Sequence, residues 1–325
     1  MNSHSPIFPE SYDQKVFLVA GAAGFVPGSV SEFYLQKGGR VIGLDNFVTG
    51  QRANIERLKK YPKFSFIECD IGLGIPDLRE QKIDYILNLA SPASPVDFYK
   101  IPLEIMRVNS QGTTHLLSLA RESGARFLEA STSEVYGDPE IHPQKETYLG
   151  RVNSLGPRGC YDESKRFAEA LTMSFHRHFG VETRIVRIFN TYGPGMRADD
   201  GRVIPNFVSQ ALTGADLTVY GDGRQTRSFC FVSDLVEGIH NVLFSGDPMP
   251  FNVGNPDEYT IMDCARFVIE ALGSSSRIVH RELPEDDPQR RRPDLTRLEK
   301  LCDFRPKVGL REGIERTARY FKDLS

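Results

Sequence analysis

Short apolar runs alternate with longer polar stretches of helical spacing along the first part of the chain. Parallel strands need crossover connections, and these place helices on both faces of a sheet. The alternation therefore predicts a doubly wound α/β fold with a parallel sheet. The runs are Lys15–Ala20, Arg40–Asp45, Phe64–Asp70, Tyr85–Ala90, Ala125–Ser131 and Thr183–Phe189.

The pattern changes in the second part of the chain, where glycine and proline cluster in TYGPG and YGDGR and the elements become shorter. We predict a first domain over 14–189, to which a segment over about 226–256 returns. A smaller mixed α/β domain takes up 190–225 and 257–325. Near its end, apolar residues from Leu310 to Phe321 follow helical spacing.

Composition favours a small-molecule partner. The 325-residue chain has a formal charge of −3, so it offers no broad basic surface to nucleic acid. No stretch approaches the roughly 20 apolar residues of a membrane span, and the first residues lack a signal-peptide core, so we expect a cytoplasmic location. The scattered cysteines and histidines do not have the spacing of metal ligands, and we predict no metal site. The cysteines are Cys69, Cys160, Cys230, Cys264 and Cys302.

A glycine turn directly after the first apolar run is typical of dinucleotide binding. Gly21 and Gly24 would let backbone N–H groups and a helix N-terminus approach a pyrophosphate. Taken alone, the two glycines would equally suit a tight strand-to-helix turn without a ligand. Asp45 ends the second run, where a carboxylate can bind both ribose hydroxyls and repel a 2′-phosphate. The combination predicts a Rossmann-type site that prefers NAD to NADP.

Pro27 departs from this glycine pattern, because it stands where a third glycine usually allows close packing of the helix on the strand. Proline is tolerated in the first helical turn, where its missing N–H would have no partner. We therefore expect the helix to form, with altered cofactor packing.

Tyr161 and Lys165 stand four residues apart at the start of a helical stretch, so their side chains share one face. An ammonium near a phenol favours the phenolate, which can then act as a base. A chance surface pair would have the same spacing. Thr132, in STSEVYG, could hold the oxygen that Tyr161 deprotonates, so the three residues together predict alcohol oxidation by hydride transfer.

The chain resembles the extended short-chain dehydrogenase/reductases, and among them the UDP-glucuronate decarboxylases, over nearly its whole length. The resemblance is carried by AAGFV with LDNFVTG, LASPASPVDF, ASTSEVYGDPEIHPQ, GPRGCYDESKR, RIFNTYGPGM, DDGRVIPNF, LTVYGDGRQTRSF and DDPQRRRPD. It implies oxidation at C4 of a UDP-uronate, loss of CO2 from the 4-keto acid, and re-reduction. UDP-xylose would be the product, and NAD would not be consumed.

The resemblance also implies roles for individual positions. Sister dehydratases carry an aspartate where Ser133 stands, and sister 4-epimerases usually lack a glutamate at Glu134, so this pair favours decarboxylation. The implied catalytic residues are Thr132, Ser133, Glu134, Tyr161, Lys165 and Arg202. The implied substrate-binding residues are Asn190, Arg202, Val203, Tyr220, Gln225, Arg227 and Arg291.

The implied cofactor site extends well beyond the glycine turn, and the family also implies a homodimer built on two helices per subunit. The cofactor positions are Gly21, Gly24, Phe25, Val26, Asp45, Asn46, Phe47, Thr49, Gly50, Asp70, Ile71, Leu89, Ala90, Ser91, Tyr161 and Lys165.

Two further departures keep other functions open. Phe98 replaces a tyrosine that is common in the family, and Arg107 replaces a lysine. A UDP-sugar 4-epimerase with the same triad is the nearest alternative, followed by a decarboxylase that releases the 4-keto intermediate. A catalytically weak NAD or nucleotide-sugar binding regulator is the alternative of another class.

Overall fold

A seven-stranded parallel sheet forms the centre of the computed structural model, which describes residues 5–282 and 290–324. The strands are β1 Val16–Ala20, β2 Arg40–Asp45, β3 Phe64–Glu68, β4 Tyr85–Asn88, β5 Arg126–Thr132, β6 Thr183–Ile188, β7 Thr191–Tyr192, β8 Leu217–Tyr220, β9 Thr226–Ser228, β10 Cys230–Phe231, β11 Phe251–Val253, β12 Glu258–Thr260, β13 Ile278–Arg281 and β14 Arg290–Arg291. The central sheet has the order β11-β6-β5-β4-β1-β2-β3, and all its neighbours are parallel. This confirms the doubly wound α/β prediction.

Helices cover both faces of this sheet. Along β1, Phe17 and Val19 join one apolar cluster while Leu18 and Ala20 join another, because successive side chains of a strand point to opposite faces. The helices are α1 Phe25–Gln36, α2 Arg52–Leu58, α3 Pro95–Lys100, α4 Pro102–Arg107, α5 Thr113–Ser123, α6 Gly159–Phe179, α7 Val203–Thr213, α8 Val232–Leu243, α9 Ile261–Leu272, α10 Thr296–Cys302 and α11 Leu310–Leu324. A π-helical turn, Val108–Gly112, joins α4 to α5, and a 3-10 helix, Ser133–Tyr136, follows β5.

Three small sheets lie outside the central one. They pair β10 with β7, β9 with both β12 and β14, and β13 with β8. Helix α7 packs against α9 and α11 beside them. Within the predicted returning segment 226–256, β11 pairs with β6, and α8 packs on β6 and β11. The first four residues of DDPQRRRPD, 286–289, lie outside the described residues.

The direction of strand order reverses at β1, with β2 and β3 on one side and β4 on the other. In open parallel sheets, this reversal leaves a crevice at the carboxyl ends of the strands. Gly21 follows β1 directly, with φ +84°, and a Cβ there would stand 2.9 Å from the Ala90 Cα. The two chain segments thus meet at the crevice in a space that only glycine allows.

Candidate active site

A cavity of about 590 Å³ opens at the carboxyl ends of β1, β2, β4 and β5 and continues to α7, β8, β9 and β14. It is lined by every residue predicted for the site except Phe47. The predicted cofactor end and the predicted sugar end are therefore parts of one continuous cavity.

The glycine turn supplies the backbone groups that a pyrophosphate needs. Gly24 is the N-cap of α1 and makes no side-chain cap, so the helix N-terminus faces the cavity with its backbone N–H groups. The cradle at Gly21 is too narrow for any Cβ. Both features fit a dinucleotide, and Gly21, Gly24, Phe25 and Val26 would hold its phosphates.

Asp45 sits at the end of β2 with its carboxylate fixed by backbone donors. Its oxygens accept hydrogen bonds from the N–H of Ala23 at 3.0 Å and of Phe47 at 2.6 Å. Burial raises the pKa of Asp45, and these bonds partly offset that effect. A Cβ on Gly50 would stand 2.8 Å from the Asp45 carboxylate, so this glycine leaves room for it. The arrangement suits two ribose hydroxyls.

Phe47 was predicted to contact the cofactor, but it does not line the cavity. Its backbone has a positive φ of 59°, and its ring packs on Phe66 with the guanidinium of Arg52 over it. Its link to the site is the N–H that it donates to Asp45. Phe47 therefore acts on the site through Asp45.

Pro27 is the third residue of α1 and leaves the helix intact. The first i to i+4 bond runs from the N–H of Gly28 to the carbonyl of Gly24 at 3.0 Å. The N–H that proline lacks would have had no partner inside the helix. The ring takes up space at the turn, since a Cβ on Gly24 would lie 3.0 Å from its Cγ.

The far end of the cofactor cleft carries an ion pair. Arg107, which replaces the family's lysine, donates to Asp70 at 3.1 Å, while Asp70 also accepts the N–H of Gly72 at 2.8 Å. Asp70 and Arg107 line the cavity together with Ile71. The arginine thus supplies a positive charge beside a carboxylate that was predicted to bind the cofactor.

Tyr161 lies at the centre of the cavity wall and is almost fully buried. Burial raises the pKa of its phenol, and the nearby carboxylates of Glu134 and Asp162 raise it further. A hydrogen bond with Thr132 and the positive charge of Arg202 act in the opposite direction. The pairing of Thr132 with Tyr161 is the hydroxyl arrangement predicted from the sequence.

Lys165 shares the cavity wall with Tyr161, but its hydrogen bonds point elsewhere. Its ammonium donates to the carboxylate of Glu129 at 3.2 Å and to the carbonyl of Ala130 at 2.7 Å. The sequence predicted this ammonium near the Tyr161 phenol, and both groups line the cavity. The positive charge of Lys165 is balanced by a buried acid in β5.

Glu134 is held between two guanidinium groups. Arg291 donates to it at 2.8 Å and 3.3 Å and to the hydroxyl of Ser133 at 3.0 Å, while Arg158 contacts it from the other side. Burial opposes its charge, but the two arginines outweigh burial and lower the pKa of Glu134 to about 2. Glu134 is therefore an anion across the whole physiological pH range.

Arg291 was predicted at the diphosphate, and the structure adds a different set of contacts. Its side chain is 1% exposed and also donates to the carbonyl of Gly137 at 3.1 Å. These contacts place the guanidinium beside Ser133 and Glu134. A ligand in the cavity would therefore lie near Arg291 on the side of the cavity that holds Ser133 and Glu134.

Asp162 follows Tyr161 in α6 and is an unusual buried acid. Burial and the negative charge of Glu134 raise the pKa of Asp162 to about 8. Its Oδ1 has no hydrogen-bond partner among the described residues. At neutral pH this carboxyl is therefore largely protonated, next to a carboxylate that is not.

Arg202 precedes α7 and faces Tyr161 across the cavity. Its guanidinium makes two contacts with Asp200, one of them from Nη2 at 2.8 Å. The ion pair with Asp200 fixes the orientation of the planar Arg202 guanidinium beside the position that a sugar would occupy. Arg202 and Tyr161 line the same cavity, and the charge of Arg202 acts to lower the pKa of Tyr161.

The remaining predicted nucleotide contacts also line the cavity, and Arg227 is paired in register with Arg291. Gln225 donates to the carbonyl of Tyr220 at 2.7 Å, and Arg227 donates to the carbonyl of Thr226 at 2.8 Å. The half-exposed ring of Tyr220 is open to a ligand. Asn190 and Val203 complete this group along the same wall.

Phe98 stacks on the catalytic tyrosine, with ring centroids 4.9 Å apart and planes at 17°. The guanidinium of Arg158 stands 5.5 Å from the centroid of Phe98. The ring that replaces the family's tyrosine thus packs Tyr161 and Arg158 into place.

Three site residues escaped the sequence predictions: Glu129, Arg158 and Asp162. Arg158 and Asp162 stand within GPRGCYDESKR, so their closeness to Tyr161 in the chain was an available signal. Glu129 offered a weaker signal, since an acid in an apolar strand suggests a buried partner without naming it.

The described residues contain no group of three or more His, Cys, Asp or Glu suited to a metal ion. Among the same residues, no helix has the length and apolar character to cross a membrane.

Comparison with known proteins agrees with the resemblance seen in the sequence. A model of the NAD dependent epimerase/dehydratase family matches residues 17–254. UDP-glucuronic acid decarboxylase 4 of Arabidopsis thaliana is 49% identical over 305 residues, which cover 94% of this chain and 68% of the relative. UDP-glucuronic acid decarboxylase 1 of Xenopus tropicalis is 44% identical over 315 residues, or 97% of this chain and 74% of the relative.

A solved structure has the same architecture. UDP-glucuronic acid 4-epimerase from Bacillus cereus, in complex with UDP-glucuronic acid and NAD, superposes with a TM-score of 0.86. It is 27% identical, and the match covers 96% of this chain and 100% of the epimerase.

Proposed function

The chain belongs to the NAD dependent epimerase/dehydratase family, and on that basis we propose that it converts UDP-glucuronate into UDP-xylose with bound NAD. The named relatives at 44% and 49% identity are UDP-glucuronic acid decarboxylases, whereas the 4-epimerase structure is 27% identical. One observation carries the choice: Ser133 and Glu134 meet Arg291 in the cavity wall that holds Tyr161.

The reaction begins with proton removal at the sugar. Tyr161 takes the proton of the C4 hydroxyl at its phenolic oxygen, while Thr132 holds the same substrate oxygen. When bound, NAD supplies the hydride acceptor, and afterwards the hydride donor, for C4. Because burial raises the pKa of Tyr161, this base depends on positive charge in the assembled complex to lose its proton.

The second step follows from the chemistry of the ketone. A C4 ketone is β to the C6 carboxylate, so CO2 leaves and an enolate remains. Tyr161, now protonated, and Thr132 donate hydrogen bonds to its oxygen, which stabilises the developing charge. After a proton from solvent water is added at C5, Tyr161 returns its proton to O4 as C4 takes back the hydride.

Glu134 acts here as an anion. Two arginines hold its pKa near 2, so it does not serve as the proton donor at neutral pH. Its negative charge repels a carboxylate placed beside it and favours departure as neutral CO2. The neighbouring guanidinium of Arg291 holds Glu134 and Ser133 in place beside the sugar site.

Product identity tests this function. Purified protein is incubated with UDP-glucuronate, and the sugars are followed by proton NMR. We expect UDP-xylose. UDP-galacturonate would instead indicate the epimerase, a persistent 4-ketopentose would indicate release of the intermediate, and the absence of any product would contradict catalysis on this substrate.

We also infer a homodimer formed through α4 and α6. These helices pack together, and they expose Leu103 and Phe167, which are 75% and 50% exposed. Met106, one turn after Leu103, is 45% exposed. Apolar side chains on two neighbouring helices support a helix-bundle interface with a second copy of this chain.

A further inference from the structure

Glu129 occupies an unusual place for an acid. It lies in the middle of β5, the strand that ends in Thr132, and its side chain is 0% exposed. An isolated buried carboxylate is very unfavourable unless it is paired or takes up a proton. The position therefore requires a specific partner.

The partner is the catalytic lysine. Oε1 of Glu129 accepts a hydrogen bond from the Lys165 ammonium at 3.2 Å, and Oε2 accepts one from the Asn88 amide at 2.7 Å. Asn88 in turn donates to the hydroxyl of Thr113 at 3.0 Å. The carboxylate is thus anchored from β4 on one side and binds α6 on the other.

The ammonium is fixed as a result. Two of its three donors go to Glu129 and to the carbonyl of Ala130, and the third remains for a ligand in the cavity that Lys165 lines. A flexible lysine side chain loses its freedom when it is held at two points. Glu129 therefore fixes the position from which Lys165 can act on a ligand hydroxyl.

The charged side chains around Lys165 form two ion pairs, of which Glu129 with Lys165 is the first. One turn along α6, Glu169 forms a second, partly buried ion pair with Arg187 of β6, at 2.7 Å and 2.8 Å. Asn88 and Thr113, which face Glu129 from the other side, are neutral. On the cavity side, Tyr161 faces Glu134, Asp162 and Arg202. Removal of Glu129 would leave Lys165 as an uncompensated buried cation.

We propose that Glu129 is a positioning residue for the catalytic lysine: its carboxylate holds the Lys165 ammonium, and its negative charge sets the pH range in which Tyr161 works. The inference rests on the proposed dehydrogenation at C4. Negative charge makes it harder for neighbouring groups to lose a proton, so its removal displaces the whole pH profile toward lower pH.

Two substitutions separate charge from shape. Glu129→Gln removes the charge and keeps the size, whereas Glu129→Asp keeps the charge on a shorter side chain. The measurement is kcat/KM for UDP-glucuronate against pH. We expect Glu129→Gln to displace the profile by about one pH unit toward acid, and Glu129→Asp to keep the wild-type profile with a lower rate.

Equal profiles for the wild type and Glu129→Gln would overturn the proposal, as would equal displacement by Gln and Asp. Glu169→Gln is the matched control, because it removes a partly buried charge of the same interface, one that pairs with Arg187 and not with Lys165. Its displacement should be smaller than that of Glu129→Gln.

A stability measurement tests the Glu129–Lys165 pairing independently of enzyme activity. It also keeps the pairing testable if the Glu129→Gln variant does not fold. Glu129→Leu and Lys165→Met are unfolded in urea, singly and combined. We expect the double variant to have a higher midpoint than either single one, because each single change leaves an unpaired buried charge. Additive losses would contradict the pairing, whereas absence of turnover by the wild type would contradict only the proposed function.

Discussion

Single buried charges define the chemistry of this site more than its hydroxyl groups do. Glu134 is an anion because two arginines surround it. Asp162 is driven toward the neutral form by burial and by the negative charge of Glu134. Two carboxyls with opposite protonation states beside Tyr161 are a feature of sites that move protons. The raised pKa of Asp162 gives a testable prediction.

Asp162 should make the protein less stable as pH rises. Its pKa is raised to about 8 in the folded state, so its contribution is fully present below pH 4 and is lost as pH rises toward 8. Relative to the wild type, Asp162→Asn should therefore gain about 3.5 kcal/mol of stability between pH 5 and pH 8. Urea unfolding at the two pH values measures this gain.

Glu163→Gln is the control for that experiment, because Glu163 is the next residue of α6 and is 40% exposed. Its difference from the wild type should change between the two pH values by less than that of Asp162→Asn, because Glu163 acts on Asp162 only as a neighbouring charge. An Asp162→Asn variant with a pH-independent effect would show that Asp162 ionises normally.

Asp45 should select between the two dinucleotides. Asp45→Ser removes the carboxylate that would repel a 2′-phosphate, so the ratio of the NADP to the NAD dissociation constant should fall at least about tenfold. Glu68→Gln, at the register-paired end of β3, should leave the ratio unchanged. Calorimetric titration of both cofactors gives the ratio, and an unchanged value for Asp45→Ser would argue against ribose recognition by Asp45.

At the residue scale, the sequence revealed the groups with a familiar spacing and missed those defined by burial. Tyr161, Lys165 and Thr132 could be predicted because helix and strand geometry bring them together. Glu129, the partner of Lys165, could not be predicted, because it is a single charged residue within the strand sequence RFLEAST. Only the packing of α6 against β5 shows which face of the strand carries the Glu129 side chain.

Among the elements, β1, the glycine turn and α1 form the unit that positions the cofactor. The predicted run Arg40–Asp45 has the bounds of β2, because clear apolar runs bounded by polar residues leave little choice. The helix carrying Tyr161 begins at Gly159. Short strands such as β11, with three residues, have too few positions for any periodic signal.

Gly21 provides a test of the turn. In Gly21→Ala, the new Cβ would stand 2.9 Å from the Ala90 Cα, so the backbone that cradles the dinucleotide must move. We expect NAD affinity to fall at least about tenfold. Calorimetric titration with NAD measures the loss.

Gly38→Ala is the matched control, because Gly38 has nearly the same φ, +88°, but nothing within 4 Å of a new Cβ. It should lower stability by about 1 kcal/mol through backbone strain and leave NAD affinity intact. Equal NAD affinities for Gly21→Ala and Gly38→Ala would contradict the role of the Gly21 backbone in binding the dinucleotide.

For the whole molecule, the order of strands places the ends of β1, β2, β4 and β5 around one cavity, and the short sheets complete it. The alternation of runs and helices was enough to predict the parallel sheet. The sequence could not show that β14 brings Arg291 against Glu134, since this contact joins residues 157 positions apart.

Helices α4 and α6 supply the predicted subunit interface. Leu103→Glu combined with Phe167→Glu would place charges on the apolar surface, so the variant should be a monomer by light scattering, whereas the wild type should be a dimer. Leu73→Glu changes a residue that is 72% exposed outside these helices, and it should remain dimeric. A monomeric wild type would contradict the interface.

The most direct test follows the reduced nicotinamide during one turnover. The NAD-bound protein is mixed with UDP-glucuronate, and absorbance of the reduced cofactor and formation of UDP-xylose are recorded for the wild type and for Tyr161→Phe. We predict an absorbance that rises and then decays as UDP-xylose forms, and a loss of at least about 100-fold in the variant. A variant that forms UDP-xylose at the wild-type rate would contradict proton removal by Tyr161.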